Sequence, residues 1–388
     1  GIDARLWNES GVGRYIRNLV EQLQALDRKN EYALFVLPKD YDNVKFQISN
    51  FKFQIVQTDI RWHRTEEQLK FPQIINKESL DLMHFTYSSV PIFYNKPFVV
   101  TIHDLIPYHF PTGEASTLPL PLYKLKLLGY KFVIQQAAKK ATKIITVSNA
   151  TKEDIVDRFG VSPQKVLVTY EGVNYKITNS TLRLAPLSGA RSGQEYKIFN
   201  TNYFLYVGNA YPHKNLERML MAFAKLKTQN SKLKTTAQSL KLVLVGKEDY
   251  FYKRLKEKVL RIGLEDSVIF FGEVTDEELA KLYKNAQALI MPSLMEGFGL
   301  PALEAMANRC LVLSSDIPSF KEICGDAAIY FDPYDITDMA KKMIDTYHSN
   351  DSNHYSDKIK KGFNRAKMFS WEKMAKETLK IYGSCINL

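Results

Sequence analysis

The sequence predicts two α/β domains, each a doubly wound parallel sheet covered by helices on both faces. Three observations carry this expectation. Short apolar runs bounded by turn residues alternate with amphipathic helical periods along most of the chain. A polar stretch without period, residues 176–201 and rich in Ser, Gly and Thr, interrupts the alternation, which then restarts. A chain of 388 residues also exceeds what a single core ordinarily organises.

The elements follow in order. GIDAR reads as the end of a strand, and a short segment is expected upstream because the chain does not begin with Met. The opening residues lack the layout of a secretory signal. After Gly11-Val12-Gly13, read as a turn, Ile16, Leu19, Val20, Leu23 and Leu26 share one helical face. FVLP, PFVVTIHD and KIITVS read as buried parallel strands, and Thr151 to Phe159 as a helix after a Ser-Asn entry. The first domain therefore spans 1–175, and 176–201 is a linker or surface loop. In the second domain, 202–368, six strands are expected at YFLYV, KLVLV, SVIFF, ALIMP, CLVLS and AAIYF. Leu216, Met219, Leu220 and Phe223 mark a helix between the first two, and Thr275 to Glu278 forms a capping box before another. An amphipathic helix over FSWEKMAKETLKIY closes the chain within 369–388.

Composition narrows the function classes. Hydrophobic content of 45% with 24% charged residues is that of a globular protein. No run approaches 18 apolar residues, so no membrane span is expected. Cys310, Cys324 and Cys385 lack metal-ligand spacing and are expected to be buried thiols in a reducing cytoplasm. The net charge of +11 is partly local, with six lysines (124, 126, 131, 139, 140, 143) and only Glu114 between Thr112 and Lys143. No nucleic-acid module accompanies it, so nucleic acid is not the expected partner. Within residues 118–143, LPLPLYKLKLLGYKFVIQQAAKK permits two readings. One is a helix burying Leu125, Leu128 and Phe132; the other is an interfacial helix resting on anionic lipid. Co-sedimentation with anionic vesicles no better than with neutral ones would defeat the second.

The strongest chemical signal is SLMEGFGLPALEAM, residues 293–306, after the strand ALIMP. Glycines at a strand-to-helix turn let a ligand approach the backbone, and the amides of a helix start attract phosphate. Pro301 suits the first helical turn. Glu296 sits on the loop, and Glu304 about one turn into the helix, where a carboxylate can accept from a ribose diol. Loop and helix thus offer sites for sugar, phosphate and ribose in line. Asp40-Tyr41-Asp42 follows a strand in the manner of metal-dependent Asp-x-Asp transferases, but its polar surroundings predict a solvated loop, and no metal is expected.

With these residues in view, the sequence resembles glycosyltransferase family 4, whose members are retaining enzymes of the two-domain GT-B fold. The matching segments are GIDARLWNESGVGRYIRNLV, VVTIHDLIPYHFP, IITVSNATKEDI, YVGNAYPHKNLERMLMAF, the glutamate motif and FSWEKMAKETL. GIDAR, GVGRY, HDLIP and PHKNL together look most like mannosyltransferases of bacterial surface polysaccharides, which would imply GDP-mannose as donor. The resemblance implies two Rossmann-like domains facing a cleft, the first for acceptor and the second for donor, with the last helix crossing back to the first. It implies that Glu296 contacts donor-sugar hydroxyls, Glu304 the ribose, and Lys214 the diphosphate. His103 would lie over the transferred sugar, with Asp104 orienting it or capping the next turn. Gly11, Gly13 and Arg14 would form a loop facing the donor, and Gly208, Asn209, Gly297, Phe298, Gly299 and Leu300 would line the donor site. Ser148 resembles a family serine, and a plain helix N-cap explains it equally well.

Two departures bear on these roles. Asn209 stands where many members carry an arginine that helps bind diphosphate, leaving that charge to Lys214, the turn at Gly297 to Gly299, and Arg14 or Lys247. Glu171-Gly172-Val173-Asn174 replaces the family's frequent Asn-Gly-Val-Asp. Expected partners are a nucleotide-sugar donor and a glycan or lipid-linked acceptor, with no cofactor; the expected location is the cytoplasm, with the inner face of the cell membrane as a peripheral alternative. A UDP-sugar donor, or a nucleotide-sugar epimerase or hydrolase on the same architecture, is the alternative. Base recognition near Gly246 and Glu273 does not distinguish guanine from uracil.

Overall fold

The computed structural model describes residues 1–9, 11–49, 52–114, 116, 118–173, 201–232, 240–348 and 355–386. The chain divides into two units, one formed by Gly1–Gly172 with Phe369–Leu388 and the other by Val173–Met368. Apart from Thr201, the linker read over 176–201 lies outside the described residues.

The first unit runs β1 (Ile2–Asp3), α1 (Gly11–Leu26), β2 (Tyr32–Val36), α2 (Tyr41–Gln47), β3 (Phe53–Gln57), α3 (Thr65–Leu69), α4 (Phe71–Lys77) and β4 (Met83–Phe85). It continues with β5 (Phe98–Ile102), α5 (Ile106–His109), α6 (Leu120–Lys140), β6 (Lys143–Thr146), α7 (Asn149–Phe159) and β7 (Val166–Val168). The strands form one parallel sheet in the order β3-β2-β1-β4-β5-β6-β7. The order reverses between β1 and β4, and in such sheets ligands gather beyond the carboxyl ends of the strands near that point. α1 buries Ile16, Leu19, Val20 and Leu23, as their spacing requires.

The second unit comprises β8 (Tyr203–Val207), α8 (Leu216–Lys232), β9 (Lys241–Val245), α9 (Tyr250–Arg261), β10 (Val268–Gly272), α10 (Asp276–Asn285) and β11 (Ala288–Met291). α11 (Leu300–Ala307), β12 (Val312–Ser315), α12 (Pro318–Cys324), β13 (Ile329–Phe331), α13 (Ile336–His348) and α14 (Ser356–Ala366) complete it. All six expected strands are present, in one parallel sheet ordered β10-β9-β8-β11-β12-β13. The capping box forms, with Glu278 N donating to Thr275 Oγ1 (3.2 Å) and Thr275 N to Glu278 Oε2 (2.8 Å). All three cysteines are buried.

The final helix, α15 (Trp371–Ile386), belongs to the first unit and buries Trp371, Met374, Ala375, Thr378, Ile381 and Tyr382. Gly172 makes room for its start, since a Cβ there would lie 2.1 Å from Trp371 N. Tyr382 is joined to His84 Nδ1 at 2.6 Å, and His84 Nε2 to Thr101 Oγ1 at 2.7 Å. Burial pushes the His84 imidazole down to about 3, so it stays neutral where an unfolded histidine would begin to charge. The stability this adds is complete above the unfolded value of about 6.5 and is lost as pH falls toward 3. Through His84 alone, urea unfolding is therefore expected to show the first unit about 2 kcal/mol less stable at pH 5 than at pH 7, a contribution that disappears in His84→Gln.

Two expectations are corrected here. Leu125, Leu128 and Phe132 of α6 are 67%, 66% and 52% exposed, not buried. Their apolar neighbours spread around the helix instead of forming one stripe, and α6 meets its unit through Ile134, Ala137 and Ala138. Asp40 is not a solvated loop residue: it is buried in a single helical turn and accepts from Asn8 Nδ2 at 2.6 Å. No group of three or more His, Cys, Asp or Glu side chains suited to a metal occurs among the described residues. Among them, too, no helix is long and apolar enough to cross a membrane.

Candidate active site

In the second unit the strand order reverses between β8 and β11, so the segments leaving those strands lie side by side. The β8 exit makes one tight turn, Pro212–Lys214, ending on Asn215 in the left-handed region at φ 63°. Asn215 Nδ2 donates to Pro292 O (2.9 Å) and Pro333 O (2.8 Å), and Leu294 N donates to His213 O (2.8 Å). These bonds staple the two exits together and bring Lys214 to Glu296.

Lys214 Nζ lies 2.6 Å from Glu296 Oε1, with side chains 17% and 11% exposed. Ser293 Oγ donates to the same oxygen at 2.7 Å. Burial alone would raise the Glu296 carboxyl, but Lys214, His213 and Ser293 together hold it below the usual range. Burial depresses the neighbouring His213 to about 4, so at neutral pH the imidazole adds no charge. The site is thus a preformed ion pair, one partner from each side of the switch point.

Beyond it, Gly299 caps α11 at φ 106°, and a Cβ there would lie 2.7 Å from the Phe320 ring. Glycine is required on both counts, and it gives the helix start no capping side chain. Phe298 is buried, while Leu300 is half-buried. Glu304, about one turn into α11, is nearly buried and accepts from Tyr283 OH at 3.1 Å. Gly208 accepts from Tyr252 OH at 2.7 Å, and Asn209 Oδ1 accepts from Tyr211 N at 3.4 Å. Gly246 permits the β9 exit to touch the β8 exit, because a Cβ there would sit 2.1 Å from Gly208 O. Lys247 and Glu273 are exposed at the exits of β9 and β10.

In the first unit, His103 leaves β5 with Nε2 3.1 Å from Thr86 O and Nδ1 3.6 Å from Glu171 Oε1. Its ring meets Tyr15 of α1 edge-on, with centroids 5.0 Å apart. Asp104 caps the next turn by accepting from Ile106 N at 3.0 Å. Ser148 is the N-cap of α7, accepting from Thr151 N at 3.2 Å. Gly11, Gly13 and Arg14 form no loop; they are the first turn of α1. Gly13 is needed for an internal approach, since a Cβ would lie 2.5 Å from Trp7 O and 2.8 Å from Leu6 O. The residues that sequence reasoning left without a role are Ser293, His213, Asn215, Tyr283 and Tyr252 around the second site, and Tyr15 and Thr86 around His103. Glu171 had drawn notice only as a departure.

Two such units with a charged pair at a β-to-helix switch define a glycosyltransferase of the GT-B fold, and comparison with known proteins agrees. Residues 10–176 match the model described as Glycosyltransferase Family 4, and residues 193–364 that of Glycosyl transferases group 1. The chain belongs to glycosyltransferase family 4, close to bacterial mannosyltransferases. It is 29% identical over 274 residues to the O-antigen chain mannosyltransferase RfbU of Salmonella typhimurium, covering 71% of this chain and 67% of that one. It is 28% identical over 249 residues to the O-antigen chain mannosyltransferase B of Escherichia coli, covering 64% and 62%. The chain thus spans about two thirds of the length of these relatives. Anabaena Alr3699/HepE, solved with UDP and glucose, superposes with a TM-score of 0.73 at 15% identity, covering 99% of this chain and 98% of that one.

Proposed function

We propose that this glycosyltransferase is a retaining mannosyltransferase that moves mannose from GDP-mannose onto a glycan or lipid-linked saccharide of a bacterial surface polysaccharide. The Lys214–Glu296 pair is the observation that carries the reading. When a diphosphate enters, Lys214 turns to it as a fixed positive charge, and Glu296 is released to accept from donor-sugar hydroxyls. Glu304 takes the ribose diol, and the turn at Gly297 to Leu300 approaches the phosphates with its backbone. The acceptor hydroxyl attacks the anomeric carbon from the face the diphosphate leaves. The bond to phosphate breaks as the glycosidic bond forms, and the departing phosphate oxygen takes the hydroxyl proton. His103, held between Thr86 and Glu171 in the first unit, is the residue assigned to the transferred sugar, as the family resemblance implies. In this scheme protein cations and amides carry the phosphate charge, so transfer persists in excess EDTA.

The two O-antigen relatives favour mannose. The UDP and glucose bound by Alr3699/HepE keep a UDP-sugar donor as the second reading. Calorimetry with GDP, UDP and ADP separates them. GDP is expected to bind tightest, and Glu304→Ala to weaken it about tenfold or more as a ribose contact is lost. A preference for UDP moves the donor, and donor consumption without acceptor returns the epimerase and hydrolase readings. The exposed Leu120, Leu122, Leu125, Leu128 and Phe132 of α6, interleaved with Lys124, Lys126 and Lys131, support peripheral contact with an anionic membrane surface. Anionic vesicles are its test, as above.

A further inference from the structure

A cavity of about 610 Å³ opens in the first unit, apart from His103, beyond the carboxyl ends of β1, β2 and β3. Lys39, Arg61, Arg64 and Lys126 line it against a single acid, Glu9, and Trp62 forms part of its wall. All four cations are exposed, and none forms an ion pair among the described residues. Four like charges converging on one cavity against a single acid repel one another unless a further anion joins them.

The wall behind them is rigid. Arg5 is fully buried and bonds Asp3 at 2.7 and 2.8 Å, Glu67 at 2.6 Å and Ile60 O at 3.1 Å. Glu67 Oε2 in turn accepts from Ser89 Oγ (2.6 Å) and from His63 N (2.8 Å). The segment Arg61–Arg64 is therefore anchored from beneath through a side-chain network. Burial, with Lys126 and Arg5 nearby, lowers the His63 imidazole to about 4, so it faces the cavity uncharged. His63 also packs on Tyr87, whose neighbour Thr86 holds His103. The cavity and the candidate transfer residue thus share one strand exit. Guanidinium groups match phosphate oxygens in pairs, and an indole face receives the apolar face of a sugar ring.

We infer that this cavity binds the phosphate or diphosphate group of a phosphorylated saccharide acceptor, with Arg61, Arg64, Lys39 and Lys126 on the phosphate and Trp62 against the adjoining sugar. The inference rests on the transferase reading only for the word acceptor. Phosphate binding itself is measured without turnover. Leu118 stands at the cavity rim where the exposed leucines of α6 begin, so the phosphate can come from a lipid-linked saccharide or from a soluble sugar phosphate.

Trp7 and Trp371 are buried, leaving Trp62 as the accessible indole. Inorganic pyrophosphate and a hexose 1-phosphate are expected to change its fluorescence saturably, whereas the neutral hexose does not, and Trp62→Phe abolishes the signal. Arg61→Ala/Arg64→Ala is expected to weaken both phosphates at least about tenfold, with nucleotide affinity unchanged. Lys126→Glu, on a different element, reproduces the loss if the double variant folds poorly. A hexose diphosphate bearing an alkyl chain that binds more tightly than its unalkylated counterpart identifies a lipid-linked source, and equal binding a soluble one. Equal phosphate affinity in the wild type and both variants, or no phosphate response in a protein that still binds nucleotide, overturns the inference. Loss of nucleotide binding alone strikes the donor site and leaves this one standing.

Discussion

Lys214→Ala is expected to lower the rate of sugar transfer by about 10²–10³-fold while the protein keeps its fold. In the proposed scheme the lysine leaves Glu296 to meet the diphosphate, and its removal leaves the negative charge that gathers on the departing phosphate without that cation. Its removal has a second effect. Glu296 loses the cation that keeps its carboxyl below the usual range, so burial dominates and its affinity for a proton rises. Glu296→Ala is expected to fall by a comparable factor through lost contact with donor-sugar hydroxyls. Because the two side chains touch at 2.6 Å, the double variant should lose less than the product of the two single effects. Steady-state transfer assays on the four proteins measure this cycle. Full transfer activity in Glu296→Ala would sink the role given to that residue, and independent effects would show that the pair does not act together.

The second large effect concerns stability. Arg5→Met leaves Asp3 and Glu67 buried without their cation and is expected to cost about 3–5 kcal/mol. Arg5→Lys keeps a charge but cannot span two carboxylates and a carbonyl with a planar fork, so it should recover only part of the loss. Removing all three charges, as Asp3→Asn/Arg5→Met/Glu67→Gln, should be milder than removing Arg5 alone, because no unpaired charge remains inside. Denaturant unfolding of the first unit reads these differences. An Arg5→Met midpoint equal to that of the parent protein would contradict the buried triad. The guanidinium also lies 3.8 Å above the Phe71 ring, so part of the cost is lost packing.

Much of the architecture was legible because buried parallel strands are written as continuous apolar runs. YFLYV, KLVLV and ALIMP needed no knowledge of their neighbours to be recognised. β3 and β4 were harder: FQIVQ is broken by two glutamines and MHF carries a histidine, so neither is an uninterrupted apolar run. MHF is nonetheless wholly buried, since Thr101 and Tyr382 satisfy both nitrogens of His84. The helix α6 shows the opposite difficulty. Its leucines allowed both a core and an interfacial reading, and their exposure, with only Ile134, Ala137 and Ala138 buried, decides against the first.

The site divides in the same way. The sequence by itself determined the loop-and-helix unit at Glu296 to Glu304, because glycine at Gly299 and proline at Pro301 answer local backbone demands. It also determined the two-domain α/β plan. Only the tertiary structure decided that Lys214 and Glu296, 82 residues apart, meet at 2.6 Å, since that depends on β8 and β11 being sheet neighbours. Only it decided that Glu171 stands beside His103, and that Asp3 and Arg5 of the opening motif serve the interior through Glu67. The reason is common to all three. Periodicity and turn chemistry act over a few residues and are written locally, whereas a buried charge is satisfied by whichever side chain the strand order carries to it.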